Sequence, residues 1–254
     1  MTVGDHVRVG CSGWVYRHWK DDFYAGVPQR LWFQHYAGHF DTVEINASFY
    51  RQPAPAMWQA WKDKAPPGFV YAIKCNRFIT HLKKLAGVEQ STADFLALAR
   101  ALDGHLGPIL YQLPPMLKPD LGRLEAFLAL LPADLEHVVE FRSTAWYDEP
   151  VLDLLDRHGV GFVTHDLVGL VSPRWASGRT AYVRFHGTGG KYHGRYSDEE
   201  MESWAEWLVA QRAQGRSAWA YFNNDIGGDA LLDAANLQRA LEQLGEAPHR
   251  VGGV

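Results

Sequence analysis

The sequence predicts an α/β fold, a single (β/α)8 TIM barrel, and three observations predict it. Short apolar runs that read as buried strands alternate with amphipathic or capped segments that read as helices. Eight such runs occur, and a chain of 254 residues has the length of one barrel. The runs also tend to end in polar clusters: Glu44-Ile45-Asn46, Gln112-Leu113-Pro114, Glu140-Phe141-Arg142, His165-Asp166, Arg184-Phe185-His186 and Asn223-Asn224-Asp225. A closed parallel barrel carries its chemistry at the C-terminal ends of its strands, so these clusters locate a site before they say what it does.

The first strand is Val7–Cys11, followed by an aromatic loop from Trp14 to Tyr24. Residues 28–40 read as a helix with proline in its first turn. The second strand spans residues 42–49, and a helix over 55–64 is stopped by Pro66-Pro67. The third strand covers 69–75, and Ser91 is placed as the cap of a helix running to about Leu102. The fourth strand, 107–113, is stopped by Pro114-Pro115, and Asp120 opens the next helix. The fifth strand covers 137–142, with a helix from Glu149 to His158 that ends at Gly159. The sixth strand is 161–166, and the stretch 167–180 carries no helical pattern, so this βα unit is irregular. The seventh strand is 181–186, and Ser197-Asp198-Glu199-Glu200 is a capping box opening a Trp-rich helix. The eighth strand is 217–223, and a helix over 229–244 closes the series.

A doubly wound sheet would usually place a Gly-rich fingerprint after its first strand, and Gly10-Cys11-Ser12-Gly13-Trp14 lacks that spacing. No Ser/Gly/Pro tract reads as a linker, so residues 1–254 are taken as one domain. A net charge of −4 gives no global attraction to nucleic acid or to an anionic membrane. Two cysteines at unrelated positions suit a reducing cytosol. With no leader pattern and no apolar run long enough to span a bilayer, a soluble cytoplasmic protein is expected.

Residues two apart on a strand share a face. Val43, Val139, Phe141, Val183 and Phe185 then face the outer helices, and Glu44, Asn46, Glu140, Arg142, Arg184 and His186 face the barrel interior. The same alternation turns Ser12, Lys74, Gln112, Thr164, Asp166 and Asn223 inward. The interior charges are nearly balanced, so a self-neutralising salt-bridge network is one explanation. Against it, apolar residues normally fill barrel layers, and a buried ion pair replaced by apolar groups is often neutral or stabilising. A ligand accounts better for so polar an upper layer.

The segments Gly10-Cys11-Ser12-Gly13-Trp14-Val15-Tyr16, Thr42 to Tyr50, Leu106 to Pro115, Glu140-Phe141-Arg142 with Trp146, Arg184-Phe185-His186-Gly187 and Tyr221 to Asp225 together resemble the YecE-like family, domain of unknown function 72. The match runs from the first strand to the last helix. The resemblance implies a TIM barrel loosely related to sugar isomerases, without an established reaction.

The chemistry that fits these residues is acid–base catalysis on a small sugar-like or phosphorylated anionic molecule. Glu140 and Glu44 are the acid/base candidates, since opposed environments can split two carboxylates into an acid and a base, and His186 assists near neutral pH. Arg142, Arg184, Lys74 and Lys191 supply positive charge. Ser12, Asn46, Gln112, Asp166 and Asn223 orient hydroxyls, with Tyr50 beside them, and Trp14 and Trp146 stack on the substrate. Gly187 to Arg195 reads either as a phosphate cradle or as a flexible turn. No cofactor motif is found, so no cofactor is expected. Two alternatives stand. Glu44, Glu140, Asp166 and His186 are ligand types for a divalent metal, which would make the chain a metal-dependent sugar isomerase or phosphodiesterase. Alternatively, the aromatic-basic run Tyr16 to Lys20 would serve a non-catalytic sugar- or nucleic-acid-binding module; the acidic net charge argues against nucleic acid as a partner.

Overall fold

The computed structural model of the chain describes residues 6–190 and 192–246. Eight parallel strands form a nearly closed ring: β1 (Val7–Cys11), β2 (Thr42–Ile45), β3 (Val70–Lys74), β4 (Leu106–Gln112), β5 (His137–Glu140), β6 (Gly161–Leu167), β8 (Thr180–Phe185) and β9 (Ser217–Phe222). The order around it is β1-β9-β8-β6-β5-β4-β3-β2, and a two-residue strand, β7 (Leu170–Val171), pairs antiparallel with β6. The ring closes where β1 meets β2. A Cβ added at Gly10 would sit 2.3 Å from the Thr42 carbonyl oxygen, so only glycine allows that approach. This is the TIM-barrel fold that the alternation of runs predicts.

Helices α1 (Trp32–Ala37), α2 (Ala47–Tyr50), α3 (Pro55–Lys64), α4 (Glu89–Ala99), α5 (Leu121–Leu128), α6 (Glu149–Arg157), α7 (Asp198–Ala213) and α8 (Asp229–Gln243) lie between the strands. The Asp120 carboxylate accepts the Arg123 N–H at 2.9 Å, and both hydrogen bonds of the Ser197–Glu200 capping box are formed. Other boundaries differ from expectation. The segment 28–40 divides into a 3-10 turn, Gln29–Leu31, and α1. The second strand stops at Ile45, and the chain turns at Asn46 into the short α2. The fourth helix starts at Glu89, placing Ser91 inside it, because Val88 rather than a hydroxyl residue occupies the cap position.

Alternation sorts the core into two shells. Cys11, Val43, Ile45, Val139, Phe141, Val183, Phe185 and Phe222 pack outward with helix residues such as Trp58, Phe95, Leu124, Leu155 and Leu237. Val70, Ala72, Leu110, Val138, Val163, Tyr182, Trp219 and Tyr221 fill the barrel. At the N-terminal end Arg8 pairs with Asp41 at 2.6 Å and lies over Trp219. In β6 the faces are the reverse of those expected: Phe162 packs outward and Val163 inward. Thr164 is therefore turned out of the barrel, and Asp166 reaches the mouth only along its rim. The irregular segment after β6 explains why a polar residue is tolerated there, since the carbonyls of Pro173 and Trp175 accept the Thr164 hydroxyl at 3.2 and 2.9 Å. Among the described residues, no helix is long and apolar enough to cross a membrane.

Candidate active site at the C-terminal mouth

Above the apolar filling, β2, β5 and β8 project a continuous chain of buried charges. Arg184 is 1% exposed and grips Glu44 with two nitrogens, Nε to Oε2 at 3.0 Å and Nη2 to Oε1 at 2.7 Å. Its remaining nitrogen, Nη1, donates to Glu140 Oε2 at 2.7 Å. Glu140 is also paired through Oε1 with Arg142 Nε. Arg142 continues the chain, its Nη2 meeting His186 Nε2 at 3.0 Å. Glu44 is further held by the Tyr182 hydroxyl at 2.7 Å, the Ser12 hydroxyl at 2.9 Å and Asn46 Nδ2 at 3.2 Å. Sequence parity thus brings Ser12, Glu44, Asn46, Glu140, Arg142, Arg184 and His186 into one cluster.

These contacts decide the charge states. Burial would raise the Glu44 carboxyl, but the Arg184 guanidinium, helped by Lys74 and Tyr182, holds it below its ordinary range. Glu140 is held well below its ordinary range, burial being outweighed by Arg142 and Arg184. Burial opposes the charge on Arg184, and its two glutamates reverse that effect. His186 is fully buried and lowered to about 4, first by burial and then by Arg184 and Arg142. Its ring is therefore neutral near pH 7. Nε2 accepts from Arg142, leaving Nδ1 as the protonated nitrogen, 3.7 Å from Asp166 Oδ1. Asp166 accepts the His186 backbone N–H at 2.7 Å and the Tyr196 hydroxyl.

Lys74, at the end of β3, sits beside this chain without joining it. Its Nζ donates to Gln112 Oε1 at 2.7 Å and lies 4.4 Å from the centre of the Phe49 ring. The opposite edge of that aromatic cluster is His81, on a π-helical turn after β3, with ring centres 4.9 Å apart. His81 is lowered to about 4 by burial and by Lys74 and Arg77.

Other predicted residues lie elsewhere. Trp146 is buried in the outer core, stacked on Phe141 and donating to the Leu117 carbonyl at 2.8 Å, so its faces are not open to a substrate. Tyr50 is 71% exposed, with its ring edge-on to Phe49. Asn223 is half-buried, with its backbone N–H on the Phe185 carbonyl at 2.7 Å. Trp14 lines a largely apolar cavity of about 850 Å³ that borders Ser12 and Asn46 and extends past Met57 to Trp61. Lys191 lies outside the described residues.

The loop after β8 is closed on itself rather than open to an anion. The N–H groups of Gly187, Gly189 and Gly194 are taken by Tyr196 Oη, the His193 carbonyl and the Asp229 carboxylate at 2.7, 3.1 and 2.8 Å. Arg195 is paired with Asp233 at 2.6 Å. Gly187 has φ of +94°, and a Cβ there would lie 2.2 Å from the His193 carbonyl oxygen. In the run Tyr16 to Lys20 the Tyr and Trp rings turn inward, Trp19 being 1% exposed and packed on Tyr16, whose hydroxyl donates to the Ser12 carbonyl at 2.6 Å, while Arg17, His18 and Lys20 are exposed. No group of three or more His, Cys, Asp or Glu side chains suited to a metal occurs among the described residues. The oxygens of Glu44 and Glu140 already face guanidinium groups, a donor set that does not fit a dication.

Two groups of the mouth escape the sequence reading. Tyr182 lies two residues before Arg184 and shares its face, so parity alone could have found it. His165 replaces Thr164 as the inward residue of β6. It is 1% exposed, donates from Nε2 to the Phe141 carbonyl at 2.9 Å, and stands 6.0 Å ring to ring from His186.

A family model described as "Protein of unknown function DUF72" matches residues 8–251. The chain is 25% identical to the UPF0759 protein YunF of Bacillus subtilis over 96% of this chain and 99% of that one. It is 26% identical to the UPF0759 protein YecE of Escherichia coli K12 over 56% of this chain and 50% of that one. A solved DUF72 family structure from Thermotoga maritima superposes with a TM-score of 0.84 at 27% identity, covering 93% and 99% of the two chains. A methyltransferase from Methanosarcina mazei shares the fold at a TM-score of 0.54 and 11% identity, covering 95% of each chain.

Proposed function

The chain belongs to the DUF72 family of proteins of unknown function, and on that scaffold we propose an acid–base enzyme acting on a small anionic or sugar-like substrate at the C-terminal mouth of the barrel. The observation that carries this reading is the buried chain Glu44–Arg184–Glu140–Arg142. Such a network has little value for stability over apolar packing of the same volume. Fixed charges aimed at one end of a low-dielectric barrel do stabilise charge that develops in a reaction.

The roles follow from the contacts. Glu44 and Glu140 both stay ionised, so the pair is not split into an acid and a base; held below their ordinary range, they act as weak bases and electrostatic partners. Arg184 is saturated by the two glutamates, so recognition of an anion falls to Arg142, whose Nη2 meets the neutral imidazole of His186 rather than a carboxylate. His186 orients that guanidinium. Ser12, Asn46 and Gln112 border the mouth with hydroxyl-binding groups, and the cavity beside Trp14 takes an apolar part of the substrate. The metal-dependent reading is less well supported because arginines occupy the carboxylate oxygens. The nucleic-acid reading is less well supported because the aromatic faces of the Tyr16–Lys20 run are used internally.

The test is thermal unfolding with glucose 6-phosphate, ribose 5-phosphate and gluconate beside glucose and ribose. At least one anionic compound should raise the Tm of the native protein, and Arg142→Met should erase that shift. Anionic compounds that do nothing, or that shift Arg142→Met equally, would remove the proposal.

A further inference from the structure

A lysine that is 9% exposed normally sits against a carboxylate. Lys74 does not: among the described residues it forms no ion pair within 4.0 Å, and its Nζ is held by an amide oxygen and an aromatic face. The carboxylates that could serve it are already engaged, Glu44 by Arg184 and Glu140 by Arg184 and Arg142. The amine is thus positioned at the end of a barrel strand, beside the proposed site, with its charge uncompensated.

We propose that Lys74 is an imine-forming nucleophile, and that the substrate of this mouth carries an aldehyde or ketone carbon. This rests on the acid–base reading of the same site. The Nζ lone pair attacks the carbonyl carbon, and the C=O π pair moves to oxygen, which takes up a proton. The nitrogen of the resulting carbinolamine gives up one of its two protons to the hydroxyl, which leaves as water as the C–O bond breaks and the freed nitrogen pair forms the C=N bond, leaving a protonated imine. No oxidant or reductant is consumed, and water reverses the step. The step requires a neutral amine. Burial and the Arg184 charge push Lys74 down to about 7 from 10.5, against the opposing pull of Glu140 and Glu44, with Arg142 adding to the depression. The charged and titratable groups around it are Glu44 from β2, His81 after β3, Glu140 from β5, Arg142 just after it, and Arg184 from β8. Gln112 from β4 and Phe49 from α2 complete its surroundings without charge. Arg142 is also the cation that would balance the oxyanion formed on the way to the carbinolamine.

Native protein is incubated at pH 7 with dihydroxyacetone phosphate, pyruvate or glyceraldehyde, reduced with sodium borohydride, and mapped by peptide mass. The expected result is a reduced adduct on Lys74 at least about tenfold above exposed Lys64, Lys84 and Lys118, absent in Lys74→Arg. Its yield should rise with pH through about 7. Labelling of Lys74 no greater than that of the exposed lysines overturns the proposal, as does a yield that rises only near pH 10. Because the adduct is read on the native chain, the result stands even if a Lys74 variant fails to fold. Trapping without any response to the sugar anions would retain the nucleophile and discard the anion site. Anion binding without trapping would do the reverse.

Discussion

Arg184 is the side chain on which the mouth depends, because it neutralises two carboxylates that are both 0% exposed. Removing one partner of a buried pair strands the other. Arg184→Met should therefore lose about 3–5 kcal/mol of unfolding free energy, measured by urea denaturation, and a loss below about 1 kcal/mol would show that the glutamates find other partners. Much at this scale was legible beforehand. Period-two alternation places Glu44, Glu140, Arg142, Arg184 and His186 together, since each lies on, or within two residues of, the end of a strand with one clearly apolar face. What alternation could not show is who holds whom: that a single arginine bridges both glutamates, or that Lys74 is left to Gln112. Trp146 was misjudged for a related reason, because an aromatic residue near a strand end fits a core and a stacking platform equally well.

At the scale of elements, local signals worked wherever the chain satisfies its own backbone. Asp120 and Ser197 cap their helices through side-chain oxygens on backbone N–H groups, and α7 starts where the Ser197–Glu200 box predicts it. Ser197→Ala should cost about 1 kcal/mol in the same denaturation assay while leaving ligand binding unchanged; no measurable loss would mean that packing of Trp204 and Leu208 alone fixes the helix start. Signals failed where distant segments satisfy a polar group. The outward Thr164 is bonded to carbonyls nine and eleven residues away, so its polarity mimicked an inward position and hid His165. The glycines of the loop after β8 fit an anion cradle or a turn alike, and only distant contacts separate the two: the Asp229 carboxylate and the Tyr196 hydroxyl already occupy two of their N–H groups.

For the whole molecule, the architecture separates two jobs. The lower barrel and the shell under the helices are apolar and carry stability, while the upper layer holds charges that add little to it and lie where barrels bind their ligands. The fold was legible because the strand-helix alternation repeats throughout the chain and one irregular unit does not obscure it. The proposed chemistry was not, since it depends on which charges remain unpaired once the ring closes. The division of labour is tested most directly by converting the network in one step, Glu44→Gln, Glu140→Gln, Arg142→Met and Arg184→Met together, and comparing unfolding free energy and ligand-induced Tm shifts with the native protein. Stability should equal the native value or exceed it by about 1–4 kcal/mol, with every shift from the anionic sugars abolished. A loss of several kcal/mol, or anion-induced shifts that survive the replacement, would contradict that division.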